Sequence, residues 1–459
     1  MATPNIAAEA ASSSGPRLRR TLTLTDLILY GVIVIQPVAP MSSFGVLSNR
    51  GQGHVVTAIL IAMVAMLFTG ISYGRMARAY PSAGSAFTYV AQEIHPGLGY
   101  VTGWSMVMDY ILNPLVCTIW CAQQVYQFTT QVPVLAQHVP LFAWKIFFAV
   151  TFTLLNIRGV KTSARLNTAL TVGMGAVIIV VFVAAIRYIL GHPHSDPSFF
   201  TRPFYDPRTF SFSGLFGCTS IAVLTYIGFD GISTLSEEAE NPRRNILLAT
   251  VLTCLVIGVL SAMEVYIAQL VWPASEPFPD TDTAYVYAAA RTWAPLFGVV
   301  GLTLVIANFG SGLGAHLGAA RLLFGMGRSN ALPKSFFGAV EPKHQIPRNN
   351  VILIGAIALI GSFFFSYDLG IEMLNFGALI AFMGVNAAAF IRYFVREPQK
   401  KLGNLAPPVL GFIICFALWL NLGHPAQIVG GIWMILGIIY GIWRTNWFRM
   451  PLSFETPAE

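Results

Sequence analysis

The sequence predicts an all-α polytopic membrane protein with twelve transmembrane helices, and three observations carry that prediction. Hydrophobic residues make up 55% of the 459 and charged residues only 10%, with mean hydropathy +0.65. A soluble chain of this size carries about 25% charged residues. Apolar stretches of roughly 17–25 residues, the length that crosses a bilayer, recur twelve times. The basic residues between them fall unevenly on the two sides, as membrane topology demands.

The twelve segments lie at about 24–48, 54–75, 97–128, 140–157, 165–190, 212–236, 246–272, 294–326, 350–366, 370–393, 406–422 and 426–445. Residues 1–20 are small and polar and end in Arg17, Arg19 and Arg20. No apolar stretch precedes that basic cluster, so they read as a disordered cytoplasmic tail and not as a cleaved signal. Residues 21–191 form a first half of five segments and 211–394 a second. Residues 405–446 hold the last two segments, and 447–459 form a second tail. An even number of crossings puts both termini on one side. That side carries 21 of the 27 Lys and Arg, and the other side 6. The split places both termini in the cytoplasm and the chain in the inner (plasma) membrane. It also accounts for a net charge of +7 without a nucleic-acid partner.

The loops hold no soluble domain. The inner loop at about 327–349 is basic and has room for a short surface helix. The outer loop around 191–211 is rich in Pro, His and Phe. Cys117, Cys121, Cys218, Cys254 and Cys415 all sit in apolar segments without metal-ligand spacing, so they read as small core residues. There is no Ser-His-Asp set, zinc motif or phosphate-binding loop. The sequence therefore points away from an enzyme and calls for no cofactor or metal.

Two of the segments are interrupted. The first contains Tyr30–Val46, YGVIVIQPVAPMSSFGV, with Pro37 and Pro40 at its middle. Proline lacks an N–H and clashes with the preceding turn. In hydrocarbon such a break survives only where protein or a wet cavity covers it. The stretch alone leaves two readings open, a binding site or a kinked helix. Segment six carries Gly228, Phe229, Asp230 and Gly231 near its middle. An acid at that depth costs about 2.5–3.5 kcal/mol on insertion scales and is kept when it faces a cavity or a partner. The breaks fall five segments apart. Broken helices in corresponding positions of two halves point to an inverted-repeat transporter with its site at the repeat interface.

Helix ends set the expected electrostatics. The half-helix restarting near Pro40, a favoured first helical residue, should present free N–H groups of Met41, Ser42 and Ser43, which suit an anion. Gln36 and Ala39 border that gap. The first half of segment six should end near Tyr226 and Ile227, so that free carbonyls, Gly228 and Asp230 form a cation site. Together they describe a pocket for a small zwitterion or amine.

The chain resembles the amino acid–polyamine–organocation (APC) permeases along nearly its whole length. The resemblance is carried by ISYGRMARAYPSAGSAFTYV (71–90), GWSMVMDYILNP (103–114), YIGFDGISTLSEEAENPRRN (226–245), SGLGAHLGAARLLFGMGRSNALP (311–333) and LNFGALIAF (374–382). Within that superfamily it is most similar to the bacterial putrescine-importer branch, through Asp109-Tyr110, Gly228-Phe229-Asp230, Leu235-Ser236-Glu237-Glu238, His316 and Met326-Gly327-Arg328. The resemblance implies a LeuT-type fold, a 5+5 inverted repeat plus two extra helices, with transport by alternating access. Three departures matter. Gln36-Pro37-Val38-Ala39-Pro40 replaces the Gly-Ser-Gly-type motif that holds a substrate carboxylate in amino-acid permeases. Ser42 stands where the putrescine importers carry an acid, and Met174 stands near a Lys that some proton-coupled relatives use.

Other polar residues in the segments are candidates too. Adjacent helix residues point about 100° apart, so Asp109 and Tyr110 are not expected to touch one ligand together. Tyr110, which matches a Tyr lining the site in this fold, is expected as a pocket wall, with Tyr226 and Phe229 shaping or closing the pocket. Asp109, Glu264, His316 and Glu372 are the candidates for a coupling proton, each with a structural role as its alternative. Glu237, Glu238, Arg243 and Arg244 read as a cytoplasmic ion-pair network. Sodium is an alternative coupling ion, through Ser311 and the carbonyls of the first break. The glycines of segment twelve leave monomer and homodimer both open. Three functions follow: a proton-driven importer of an amine or amino acid, a substrate/product exchanger, and a channel or sensor on the same fold.

Overall fold

The computed structural model describes residues 22–444, apart from 81–84, 132–137, 159–163, 193–195, 236–238, 329–331 and 342–345. Both tails, 1–20 and 447–459, and the pair Glu237 and Glu238 lie outside the described residues.

The first segment forms α1 (Leu24–Ile35) and α2 (Ala39–Gly51), bent by 47° at their junction. Thr23 starts α1 with a capping box. Its hydroxyl accepts the Asp26 N–H at 3.3 Å, and the Asp26 carboxylate accepts the Thr23 N–H at 2.9 Å. Then follow α3 (Val55–Ala79), α4 (Ser85–Glu93), α5 (Pro96–Thr130), α6 (Leu141–Ile157) and α7 (Ala164–Gly191). Segment six is α8 (Phe212–Ala222), a 3-10 turn (Val223–Tyr226) and a short α9 (Gly231–Thr234). The chain continues through α10 (Pro242–Val271), α11 (Ala284–Thr292), α12 (Leu296–Arg328), α13 (Lys334–Phe337), α14 (Arg348–Phe364) and α15 (Tyr367–Phe390). It ends in α16 (Leu402–Leu420) and α17 (His424–Arg444).

Each of the twelve apolar segments contains a helix, and the described residues are otherwise free of strands. Among the described residues, nine helices are long and apolar enough to cross a membrane, or ten with the bent pair, and α6 and α14 are shorter apolar helices of 17 residues. The chain is therefore a multi-pass membrane protein. The room for a surface helix in the basic inner loop is filled by α13. The nine-residue helices α4 and α11 were not anticipated, because each is too short to leave an apolar run.

Small residues let the central helices approach closely. A Cβ on Gly74 of α3 would lie 2.6 Å from the Leu247 Cα of α10, and one on Gly377 of α15 would lie 2.5 Å from the Ser105 carbonyl oxygen of α5. Thus α3 lies along α10, and α5 lies along both α12 and α15. The faces of α7, α16 and α17 that carry Val183, Ile413 and Ile435 are exposed and apolar, as lipid contact requires. At one end of the bundle, fully buried Glu93 accepts from Arg392 at 2.5 Å, Arg396 at 2.6 Å and Tyr80 at 2.6 Å. At the other end, Arg50 lies 3.6 Å from Glu372.

Candidate functional site

The two breaks meet at a cavity of about 760 Å³ enclosed by α1, α2, α5, α7, segment six and α12. Proline and glycine chemistry shapes both sides of it. At the first break Gln36 takes φ 70°, and α2 restarts at Ala39 with Pro40 as its second residue. Pro37 and Pro40 have no N–H. Of the four N–H groups that remain between Gln36 and Met41, three are used within the break. Gln36 donates to Val32 O, Ala39 to Gln36 O and Met41 to Val38 O, each at 3.1 Å. The Met41 amide expected to face an anion is therefore occupied by the turn that the prolines force.

At the second break Gly228 takes φ +115°, which side-chain-bearing residues rarely adopt. A Cβ there would also meet Val34 Cγ1 at 2.9 Å. The 3-10 turn carries the chain past Ala222. The Tyr226 carbonyl, expected to be free, accepts the Phe229 N–H at 3.3 Å. The Asp230 carboxylate rests against the backbone of Gly228 and Gly231 and lines the cavity.

The cavity gathers Gln36, Ala39, Ser42, Asp109, Tyr110, Ile227, Gly228 and Asp230 of the expected residues. Gln36 is anchored by its amide to Ala307 O at 2.6 Å. The Ser42 hydroxyl accepts from Asn308 at 2.9 Å. Asp109 and Tyr110 both line the wall. The cavity is wide enough to wrap more than one face of α5.

The remaining residues lie elsewhere. Met41 and Ser43 are buried away from the cavity, Ser43 with its hydroxyl 3.5 Å from Pro40 O. Tyr226 is fully buried and donates to Ile59 O at 2.9 Å. Phe229 packs edge-on to Tyr73 and against Phe382. His316 is buried and bonds Val351 O at 2.8 Å. Glu372 accepts the Gly423 N–H at 2.9 Å beside Arg50. Glu264 is fully buried, and neither of its carboxyl oxygens has a hydrogen-bond partner among the described residues. Arg243 and Arg244 begin α10, and no ion pair involves them among the described residues.

Sequence reasoning missed several cavity residues. Asn113, Asn156 and Arg321 add polarity, and Tyr30 approaches Gly231 from α1. Asn113 was open to inference, since it lies one turn from Asp109 on the same helix. Outside the membrane-spanning helices, Asp282 sits half-buried between α10 and α11. Burial pushes its carboxyl up to about 6, with Asp280 and Asp368 adding to the effect and Lys145 opposing it.

A family model described as amino acid permease matches residues 22–443. The chain is 35% identical over 447 residues to the low-affinity putrescine importer PlaP of Escherichia coli (strain K12), covering 96% of this chain and 97% of that one. It is 25% identical over 459 residues to the branched-chain amino acid permease BcaP of Bacillus subtilis (strain 168), and 24% identical over 455 residues to the methylthioribose transporter of the same organism. Each of these alignments covers 94% of both chains. The relatives are transporters and not enzymes. This chain, matched by the family model from end to end of its helical bundle, belongs to the amino acid permease family of the APC superfamily.

Proposed function

We propose that the chain imports an amine or amino acid across the inner membrane by alternating access, driven by the proton gradient. The observation that carries this is the shared cavity at two mid-membrane breaks, with Asp230 in its wall. Asp230 holds the ammonium end of the cargo. Tyr110, Ile227 and the polar side chains of α2 and α12 shape the rest. The names of the relatives, a putrescine importer and a branched-chain amino acid permease, support this cargo range.

Alternating access draws support from the symmetry of element lengths. Counting α6 and α14 as spans gives twelve crossings. The halves then match in order: a broken helix, a long helix, a nine-residue helix, a very long helix, and a 17-residue helix. The very long helices, α5 and α12, have 35 and 33 residues and pack together. Two such halves rocking against each other would expose the cavity to each side in turn. The cavity reaches Tyr30, Leu317 and Arg321, toward the end where the basic loops cluster, which the charge rule assigns to the cytoplasm with both termini. Of the coupling candidates that lie away from the cavity, Glu264 is the best supported. His316 and Glu372 already have partners, whereas Glu264 has none.

Uptake by the purified protein in proteoliposomes tests the proposal. Concentrative uptake that collapses with a protonophore is the expected result. Uptake that requires internal substrate makes the chain an exchanger, and purely downhill flux makes it a channel. Asp230→Asn should abolish amine uptake in a folded protein, and unchanged uptake removes Asp230 from the site.

A further inference from the structure

We infer that Asn113 and Asn156 form an uncharged hydrogen-bonding subsite on the wall of the cavity away from Asp230, so that the preferred cargo is an amine whose far end is a neutral group that both donates and accepts, as a hydroxyl does. The inference rests on the transport reading above, in which Asp230 holds the ammonium, and narrows its cargo class.

Sequence separation hides how the two carboxamides come together. A Cβ on Gly312 of α12 would meet Cys117 Cβ of α5 at 2.8 Å and Phe152 of α6 at 2.9 Å, so the three helices touch at one level. Asn113 precedes Cys117 by about one turn, and Asn156 follows Phe152 by about one turn. Consecutive spans run in opposite directions, which puts both carboxamides on the same side of that contact. Both line the cavity. Asp230 lies on the other flank. The short α9 that follows it packs against α1, α3 and α10, whereas α6 packs against α5, α12 and α14.

Each carboxamide is half used. The Asn113 oxygen accepts the Cys117 thiol at 3.3 Å, and its nitrogen has no acceptor among the described residues. Asn156 is only 3% exposed. Its nitrogen donates to Phe152 O at 3.0 Å and to Leu313 O at 3.3 Å. Both of those neighbours are acceptors, so they fix the orientation of the amide, and its oxygen has no donor among the described residues. A buried polar group left unpaired is costly. The two side chains thus offer one free donor and one free acceptor, and a single hydroxyl satisfies both. An ammonium in that place would face the Asn113 donor, and a carboxylate would face the Asn156 oxygen. The one cation in the lining among the described residues, Arg321, is exposed and lies about two turns beyond Leu313 on α12. Room for the far end of the cargo comes from Gly310 and Gly314, which line the cavity. A Cβ on either would meet nothing within 4 Å.

The test is ligand-dependent melting of the full-length protein in detergent. The ligands are 4-aminobutan-1-ol, 1-aminopentane, 1,4-diaminobutane and 5-aminopentanoate, which share an amine and a spacer and differ in the far group, together with the same four types on a spacer two carbons longer. Two neutral hydrogen bonds should make the amino alcohol bind about 5- to 100-fold tighter than the matching alkylamine at one spacer length or both. Asn113→Leu and Asn156→Leu should each erase most of that margin and leave the alkylamine affinity unchanged, while Asn113→Ser, which keeps a donor, keeps part of it. Equal binding of alcohol and alkylamine by the native protein at both lengths, or tighter binding of the diamine, overturns the inference without any variant and leaves the transport reading intact. So does a Leu variant that weakens alcohol and alkylamine alike, the mark of a structural role, or one that leaves the margin in place. Preference for the amino acid overturns the inference and moves the cargo to amino acids. Failure of the transport reading shows separately, as absence of uptake of every ligand that binds.

Discussion

Trp120 donates its indole N–H to the carbonyl oxygen of Ser42 at 3.0 Å. The same N–H reaches Asp282 O at 2.7 Å. One donor from α5 thus ties the second half of the first segment to the loop before α11. Trp120→Phe keeps the ring but leaves two carbonyls without that donor, at a cost of about 1–3 kcal/mol. The expected outcome is a lower melting temperature of the purified protein with its ligand affinity little changed, read by the titration described above.

Gly228→Ala should be more damaging than its size suggests. Alanine at φ +115° costs about 1–3 kcal/mol in backbone strain. Its methyl would also sit 2.9 Å from Val34 Cγ1. Uptake should fall sharply. Adding Val34→Ala removes the clash but not the strain, so it should restore folding yield in part. Full activity of the single variant would show that the second break has another geometry.

The cluster around Glu93 predicts a stability effect at the opposite end. Its carboxylate is fully buried, while Arg392 and Arg396 remain 36% and 56% exposed. Breaking a fully buried pair costs more than breaking a solvated one, so Glu93→Gln should cost about 1–3 kcal/mol, below the range for a wholly buried pair. The melting temperature should fall with little dependence on added salt.

Asp282 gives a pH dependence with a definite sign. Its carboxyl is raised from 3.8 to about 6 by burial. A raised acid favours the folded state below its unfolded value and loses that contribution as pH rises through the folded one. Melting temperature should therefore decline between about pH 4 and pH 6, by at most about 3 kcal/mol of stability for a two-unit shift. Asp282→Asn should flatten that part of the profile. An unchanged slope in that variant would assign the decline to another group.

Glu264→Gln separates coupling from packing. The carboxyl has no partner to lose, so the melting temperature should stay level or rise. If Glu264 carries the proton, uptake in the variant no longer responds to a protonophore while ligand binding persists. Retained proton-driven uptake excludes it.

Much of the bundle was legible because membrane helices announce themselves by length and apolarity. Predicted segment three, 97–128, became Pro96–Thr130, and segment four, 140–157, became Leu141–Ile157. The breaks were legible as well, since Pro37, Pro40 and Gly228 act locally through φ and a missing N–H. What those freed groups do next is a three-dimensional question. The Met41 amide and the Tyr226 carbonyl found partners within their own turns. His316 found Val351, and Glu372 found Arg50, across 35 and several hundred positions of sequence respectively. Those pairings depend on which helices touch. The helices α4 and α11 escaped because nine residues with mixed polarity fall below any spanning pattern.

The self-bonded break has a consequence for the half of the cycle in which nothing is carried. A carrier that is not an exchanger returns empty after delivering its cargo. Exposed amides at mid-membrane would hold water or an ion there and make that return slow, which suits a strict exchanger. Here the amides of Gln36, Ala39 and Met41 are already matched to the carbonyls of Val32, Gln36 and Val38. Under the transport proposal, the vacant protein would carry little unmet hydrogen-bonding capacity from its first break, and an empty return would need no passenger on that account.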